Sequence, residues 1–265
     1  MRLVLGIDAA WTATQPSGVA LAGEFNDGWR LLAVESSYGR FCGRAAEGPP
    51  RGEAPDVAAL LDACRRLAGR APDLVAVDMP LALTPIVGRR VSDLAISRAF
   101  GAAKAATHSP SALRPGPLAD KLHADFANEG FALCTAGGVQ TPGLMEVYPH
   151  AALLALTGDK VRLTYKAGKT TTYWRGVERD ERGLRVREVW RRIVAALEPE
   201  IAGVAEALPP PGAEVRGRAL KAYEDRLDAV VCAWVAIAAL DAKAEAYGDD
   251  NSAIWVPEAQ LERRS

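Results

Sequence analysis

Apolar residues along this chain fall into two rhythms, short unbroken runs near the start and spaced positions farther on. Residues 2–9, 17–22 (SGVALA) and 29–36 (WRLLAVES) are apolar, β-rich runs parted by turn residues, a pattern that predicts an antiparallel meander. A Gly/Pro/Arg-rich loop, SYGRFCGRAAEGPPRGEAP, follows. Over Asp56–Ala68 the apolar positions Val57, Leu60, Leu61, Cys64 and Leu67 recur at helical spacing. The segment LVAVDMP then reads as a short strand covered on both faces and ended by proline. Beyond Pro80 the pattern predicts helices over Val91–Ala106 and Leu118–Gly130, with THSPSALRPGP as a loop between them. LMEVYPH is strand-like and passes into Ala151–Thr157. After the breaker LPPPG a last helix is expected over Gly217–Tyr247, and SAIWVPEAQL closes the chain as a short strand or extended tail.

This order of elements is that of an RNase H-like mixed sheet, three antiparallel strands extended by two parallel ones and flanked by helices. It predicts one domain over residues 1–265, with a helical insertion at about 85–140 and a basic one at about 159–215. With 265 residues, 49% of them hydrophobic, the chain is long enough to bury a substantial core. Its 32 Lys and Arg nearly match its 33 Asp and Glu, so global charge points to no partner. Locally the balance differs: residues 159–192 carry 11 cations, Lys160 to Arg192, against 5 acids. Cys42, Cys64, Cys134 and Cys232 lack the close spacing that zinc or a redox dithiol needs and read as reduced packing residues. No stretch approaches the roughly 20 apolar residues of a membrane span, so a cytoplasmic protein without membrane contact is expected.

The carboxylates carry the candidate chemistry. In the expected sheet Asp8 ends the first strand and Asp78 the fourth, and these strands run parallel, so their carboxyl ends share the edge where open α/β sheets bind ligands. Glu146 lies on the fifth strand, and Asp225 and Asp228 lie three residues apart on one face of the last helix. A lone Asp8 reads as a turn or capping residue, but acids from four elements converging on one crevice repel one another, and a divalent cation relieves that repulsion. Mg2+ or Mn2+ suits such all-oxygen ligands, and two such ions are the usual apparatus for hydrolysing a phosphodiester. In this reading Asp8 bridges the metals, Asp228 is a direct ligand and Asp225 an outer one. Lys166, Lys169 and Arg175, interleaved with Tyr165, Tyr173 and Trp174 in YKAGKTTTYWRG, suit phosphate neutralisation and base stacking, although a basic stretch reads equally as a solvated helix face. His108 and His150 read as hydrogen-bonded loop residues, His150 standing behind the site.

Together GIDAAWTATQPSGVAL, VAVDMPLAL, EVYPHAAL and EDRLDAVVCAWVA resemble the family called domain of unknown function 429, predicted nucleases of RNase H-like fold. The resemblance runs from Gly6 to Pro257. It implies an acidic, nuclease-like site at Asp8, Asp78, Glu146 and Asp228 with Asp225 close by, and it implies no particular substrate. RRVSDLAISRAFG also resembles the family's Arg-rich helix, but Ser92 stands where its pattern leads one to expect cysteine.

The expected function is therefore a divalent-metal-dependent nuclease, a phosphodiester hydrolase acting on DNA or RNA. One alternative is an actin-like or sugar-kinase-like phosphotransferase, which shares the sheet and the opening strand, Asp and Thr-bearing turn. Against it, that turn lacks phosphate-wrapping glycines. Another is a non-catalytic nucleic-acid-binding module.

Overall fold

The computed structural model describes residues 1–44 and 48–259. Residues 45–47 of the expected loop, and the end of the expected C-terminal tail from residue 260, lie outside that range. The meander forms as β1 (Leu3–Asp8), β2 (Gly18–Phe25) and β3 (Gly28–Glu35). After the one-turn α1 (Tyr38–Phe41), α2 (Val57–Ala68) starts where the Asp56 carboxylate accepts from the Ala59 amide, and it ends at Gly69 in the left-handed conformation that glycine adopts freely. There follow β4 (Leu74–Val77), α3 (Val91–Phe100), α4 (Pro117–Asn128), β5 (Ala132–Leu133), β6 (Gly143–Val147) and α5 (Pro149–Thr157). The remainder is α6 (Thr170–Tyr173), α7 (Arg179–Leu197), α8 (Val204–Ala207), α9 (Arg218–Leu240), β7 (Ala244–Gly248) and β8 (Ala253–Pro257).

These strands make one mixed sheet in the order β3-β2-β1-β4-β6-β8-β7, with β5 beside β6. β1, β4, β6 and β8 run parallel, while β2, β3 and the edge strand β7 are antiparallel to their neighbours. The sheet is thus wider than the expected three antiparallel plus two parallel strands, and the difference lies at its far edge. The last helix stops at Leu240 instead of reaching Tyr247, Ala242 turns the chain with a φ of 55°, and AEAYG becomes β7. Its Ala and Glu favour helix, but pairing along β8 overrides that weak preference. Likewise α3 ends at Phe100, short of Ala106, and the left-handed Lys104 breaks the turns that follow Gly101.

Side chains alternate across the strands into two cores. Leu5, Ile7, Val75 and Val77 pack with α2 and α4 on one face. Val4, Ala76 and Met145 pack on the other face with α9, α7 and α5. α9 is the centre of that second layer, buried without a break from Leu227 to Ala239, its one acid there, Asp228, included. It lies close to the sheet because two strand positions are glycine. A Cβ on Gly6 would come within 2.1 Å of the Ala229 carbonyl, and one on Gly18 within 1.9 Å of the Asp225 carbonyl. Those glycines set the first turns of α9 against the carboxyl end of β1. The four cysteines are free, and all but the half-buried Cys42 are buried.

Candidate functional site

Asp8 closes β1, and Asp78 follows β4 at the neighbouring position, where its amide donates to the Ile7 carbonyl at 2.8 Å. By alternation both side chains belong to the sheet face that α9 covers. Asp225 and Asp228 reach the same place from α9, with Glu224 beside them, and all three are buried. Five carboxylates from three elements therefore meet at one sheet edge.

Two ammonium groups stand among them. Lys166 Nζ lies 2.5 Å from Asp228 Oδ2 and 3.4 Å from Glu224 Oε1. Lys221 Nζ lies 3.1 Å from Glu224 Oε1 and pairs with Asp225 Oδ1. The Ala167 amide donates to Glu224 Oε2 at 2.5 Å, and the buried Trp190 donates through Nε1 to the Tyr165 carbonyl at 2.8 Å, which fixes the segment that presents Lys166. Asp225 Oδ2 and Asp228 Oδ1 remain buried without a partner.

Five acids against two cations leave negative charge uncompensated, and the ionisation of the site reflects it. Burial, opposed by Lys221 and Lys166 and reinforced by Asp225 and Glu224, pushes the Asp8 carboxyl up to about 7. Burial together with Asp8 and Asp228 holds Asp78 well above the usual carboxylate range. Asp228 is pushed up to about 6 by burial and by Asp8, in spite of Lys166. Burial also raises Asp225, against Lys221. Lys166 resists its own burial and stays protonated because Asp228, Glu224 and Asp8 surround it.

Glu146 lines the smaller of two cavities at this edge together with Asp78, but it is bonded to a different set of partners. Its partner in the register is Val77, one residue before Asp78, so alternation sends it to the opposite sheet face. There Arg90 Nη1 and Nη2 bond its two oxygens at 2.5 and 2.7 Å, and the Leu81 amide donates to Oε2 at 2.8 Å. Arg90 also bonds both oxygens of Asp93. Ser92, inside this network's helix, contacts Ser252 Oγ at 3.0 Å and is fully buried.

The basic segment divides. Lys166 enters the acid cluster, Lys169 is exposed beside it, and Arg175 is exposed and lines neither cavity described below. Arg185 and Arg192 pair with Glu181 and Asp159, and Arg187 is a buried staple that donates to the carbonyls of Pro211, Gly212 and Val215. Sequence reasoning missed Lys221 and Glu224, although both carry the same helical signal as Asp225 and Asp228: Lys221 is four residues before Asp225, and Glu224 four before Asp228. It also missed Trp11, Arg114 and Arg90, whose roles depend on loops meeting in space.

Two cavities open on the cluster, of 480 and 890 Å3, sharing Trp11, Asp78, Arg114 and Lys221 as a common wall. The Arg114 guanidinium lies over the Trp11 ring at 6.0 Å. The larger cavity follows the β1–β2 turn and reaches Arg51 and Arg218, and the smaller reaches Lys166, Lys169 and His150. Among the described residues no three Asp, Glu, His or Cys side chains are grouped so as to hold a metal ion, and Lys166 and Lys221 are paired with the acids. The donor chemistry nevertheless fits a hard divalent ion, since every ligand is oxygen and two carboxylate oxygens are unpartnered. No helix among the described residues is long and apolar enough to cross a membrane.

The profile of a family described as "Protein of unknown function (DUF429)" matches residues 6–252. No curated protein matches the chain.

Proposed function

The chain belongs to the DUF429 family, and on the chemistry of its acidic edge we propose that it is a divalent-metal-dependent phosphodiester hydrolase of RNase H-like fold, a nuclease acting on DNA or RNA. One observation carries this reading: five carboxylates share two ammonium groups at the carboxyl end of adjacent parallel strands, with Asp8 and Asp228 pushed to about 7 and about 6. Such a site takes up either protons or a cation. The strand order β3-β2-β1-β4-β6 supports the RNase H-like assignment.

Asp8, Asp78 and Asp228 would hold Mg2+ or Mn2+, with Asp225 as the outer partner. A bound ion of this kind polarises a phosphoryl oxygen and acidifies water. This chain's own part is electrostatic. Lys166 and Lys221, which stand among the acids, and Arg114 on the wall shared by the two cavities would supply the positive charge that a phosphodiester needs there. Glu146 and Arg90 hold the α3 side of the crevice rigid without entering the chemistry.

The test is a panel of single-stranded, duplex, hybrid and branched oligonucleotides incubated with the protein and Mn2+, beside Asp8→Asn. Cleavage by the wild type that falls at least about 100-fold in Asp8→Asn is expected, the scale of losing one transition-state contact. Mn2+ should also raise the melting temperature of wild type and not of Asp8→Asn. A second reading, phosphotransfer, is favoured only by the larger cavity lying over the Thr-bearing β1–β2 turn. ATP turnover lost in Asp8→Asn without any strand cleavage would replace the first reading with it.

A further inference from the structure

The smaller cavity is more than an approach to the acids. At 480 Å3 it falls within the roughly 300–1,000 Å3 of small-molecule sites, whereas a phosphodiester alone needs only the open edge. Its walls include Trp11, Tyr148, His150 and Tyr165, with the His150 ring edge-on to Tyr148 at 5.4 Å and to Tyr165 at 5.2 Å. One of these wall residues, His150, leaves a buried polar atom, Nδ1, without a partner, whereas the Tyr165 hydroxyl faces Asp228 of the acid cluster. Leaving such a group unpaired costs about 1–3 kcal/mol, so a pocket of this kind has a use for it. A neutral imidazole offers an uncharged hydrogen-bonding group, which matches the polar edge of a neutral heteroaromatic ring and matches a second phosphate poorly. Of the four cations that also line the cavity, Lys166 and Lys221 are paired with acids of the cluster, and Lys169 and Arg114 are exposed.

From this arrangement we infer that the smaller cavity receives one unpaired nucleotide of the nucleic-acid strand, its base among Trp11, Tyr148 and His150 and its phosphate toward Lys169 and Arg114. This rests on the nuclease reading and narrows it to substrates with single-stranded or extruded nucleotides. A paired base is stacked inside its helix and cannot enter a concave chamber, whereas a free one brings a π-face to every aromatic wall.

Gly168 supplies a clean way to close the chamber. It lies on the chamber wall, its φ is ordinary, and a Cβ built there meets no atom within 4 Å, so Gly168→Leu adds bulk at the chamber wall with no clash at its Cβ. The full chain, in EDTA so that no cleavage occurs, is titrated into oligonucleotides carrying the fluorescent adenine analogue 2-aminopurine as a single strand, in a perfect duplex, and as a one-nucleotide bulge. A saturable change in emission is expected for the single strand and the bulge but not for the duplex. Gly168→Leu should abolish the change and weaken single-strand binding about tenfold, within the range for one stacked base, while duplex affinity stays as in wild type. Should Gly168→Leu melt below wild type, Tyr148→Ala takes its place with the same expectation. Equal responses from duplex and single strand, or a wild-type response and affinity in the blocked variant, overturn the inference. Binding of dAMP as tight as that of the oligonucleotide also overturns it, by assigning the chamber to free nucleotides. The two readings fail separately: cleavage with Mn2+ but no emission change removes only the base pocket, and an emission change without cleavage removes only the nuclease.

Discussion

Glu146 and Asp228 are both nearly inaccessible carboxylates close to one sheet edge, yet the protein treats them in opposite ways. Both oxygens of Glu146 are bonded, Arg90 spans it and Asp93 with a planar fork, and that guanidinium also donates to the Leu81 carbonyl at 2.7 Å. Asp228 shares one ammonium with Glu224, and its Oδ1 has no hydrogen-bond donor. A saturated network fixes geometry, because each bond holds the next in place. An unsaturated one stores electrostatic strain that only a proton, a cation or a ligand relieves. Rigid Arg against flexible Lys is the chemical form of this division, since the guanidinium matches two carboxylates in one geometry and the ammonium does not. The Arg90 network therefore reads as the frame, and the Lys166 and Lys221 cluster as the site.

The strongest way to break this comparison is to remove the saturating cation. Arg90→Leu leaves Glu146 and Asp93 buried without their counter-ion, and stripping one partner from a buried pair costs about 3–5 kcal/mol. A large fall in the urea midpoint is expected. Asp228→Asn, which removes a charge the fold already disfavours, should leave the metal-free protein as stable as wild type or more so. If both variants lose comparable stability, the two clusters are alike and the division into frame and site is wrong.

A middle-sized effect sharpens the same contrast through pH. Asp8 and Asp228 titrate at about 7 and about 6 in the folded protein, above the roughly 3.9 of an unfolded aspartate. The folded state thus binds more protons across that interval, so the stability that protonation gives is complete below about pH 4 and is lost as pH rises through 6 to 7. Asp8→Asn cannot ionise and escapes its share of that loss. Denaturant unfolding at pH 5 and at pH 8 should show the variant gaining on wild type by more than about 1.4 kcal/mol, the worth of one pKa unit. A difference independent of pH would mean that Asp8 ionises freely in the folded state.

Much of this organisation could be read from the sequence, and what could not has physical causes. The meander, the crossover helix α2 and strand β4 follow from period and punctuation, and with them the pairing of Asp8 with Asp78. Asp225 and Asp228 were legible from their spacing on a helix whose other positions are apolar. The face of Glu146 was not, because a one-residue offset in register reverses a strand side chain, and register is set by partners the sequence does not name. Strand β7 was hidden by helix-favouring Ala and Glu in AEAYG. Gly6 and Gly18 stood in plain view, but their use appears only once α9 lies across them. Arg114 is a lone cation in a loop and Arg90 is the residue before α3, positions where sequence gives no direction to a side chain.

The smallest expected effect tests how much of the basic segment belongs to the site. Lys166 cannot be removed cleanly because it is held by Asp228 and Glu224, so its loss would report on the cluster as much as on any ligand. Lys169 and Arg175 are both exposed, yet only Lys169 lines the smaller cavity. Each phosphate contact releases condensed counterion, so losing one lowers the slope of log affinity against log salt by about one unit. For a single-stranded oligonucleotide measured from low to moderate salt in EDTA, Lys169→Ala should reduce that slope by about one and weaken binding several-fold at low salt. Arg175→Ala should change neither, because the rest of its surface is a solvated helix end. An equal loss in both variants would extend the nucleic-acid path along α6, beyond the acidic edge. No loss in either would confine it to Arg114, Lys166 and Lys221 and leave the remaining cations of residues 159–192 as a solvated face tied to its own acids.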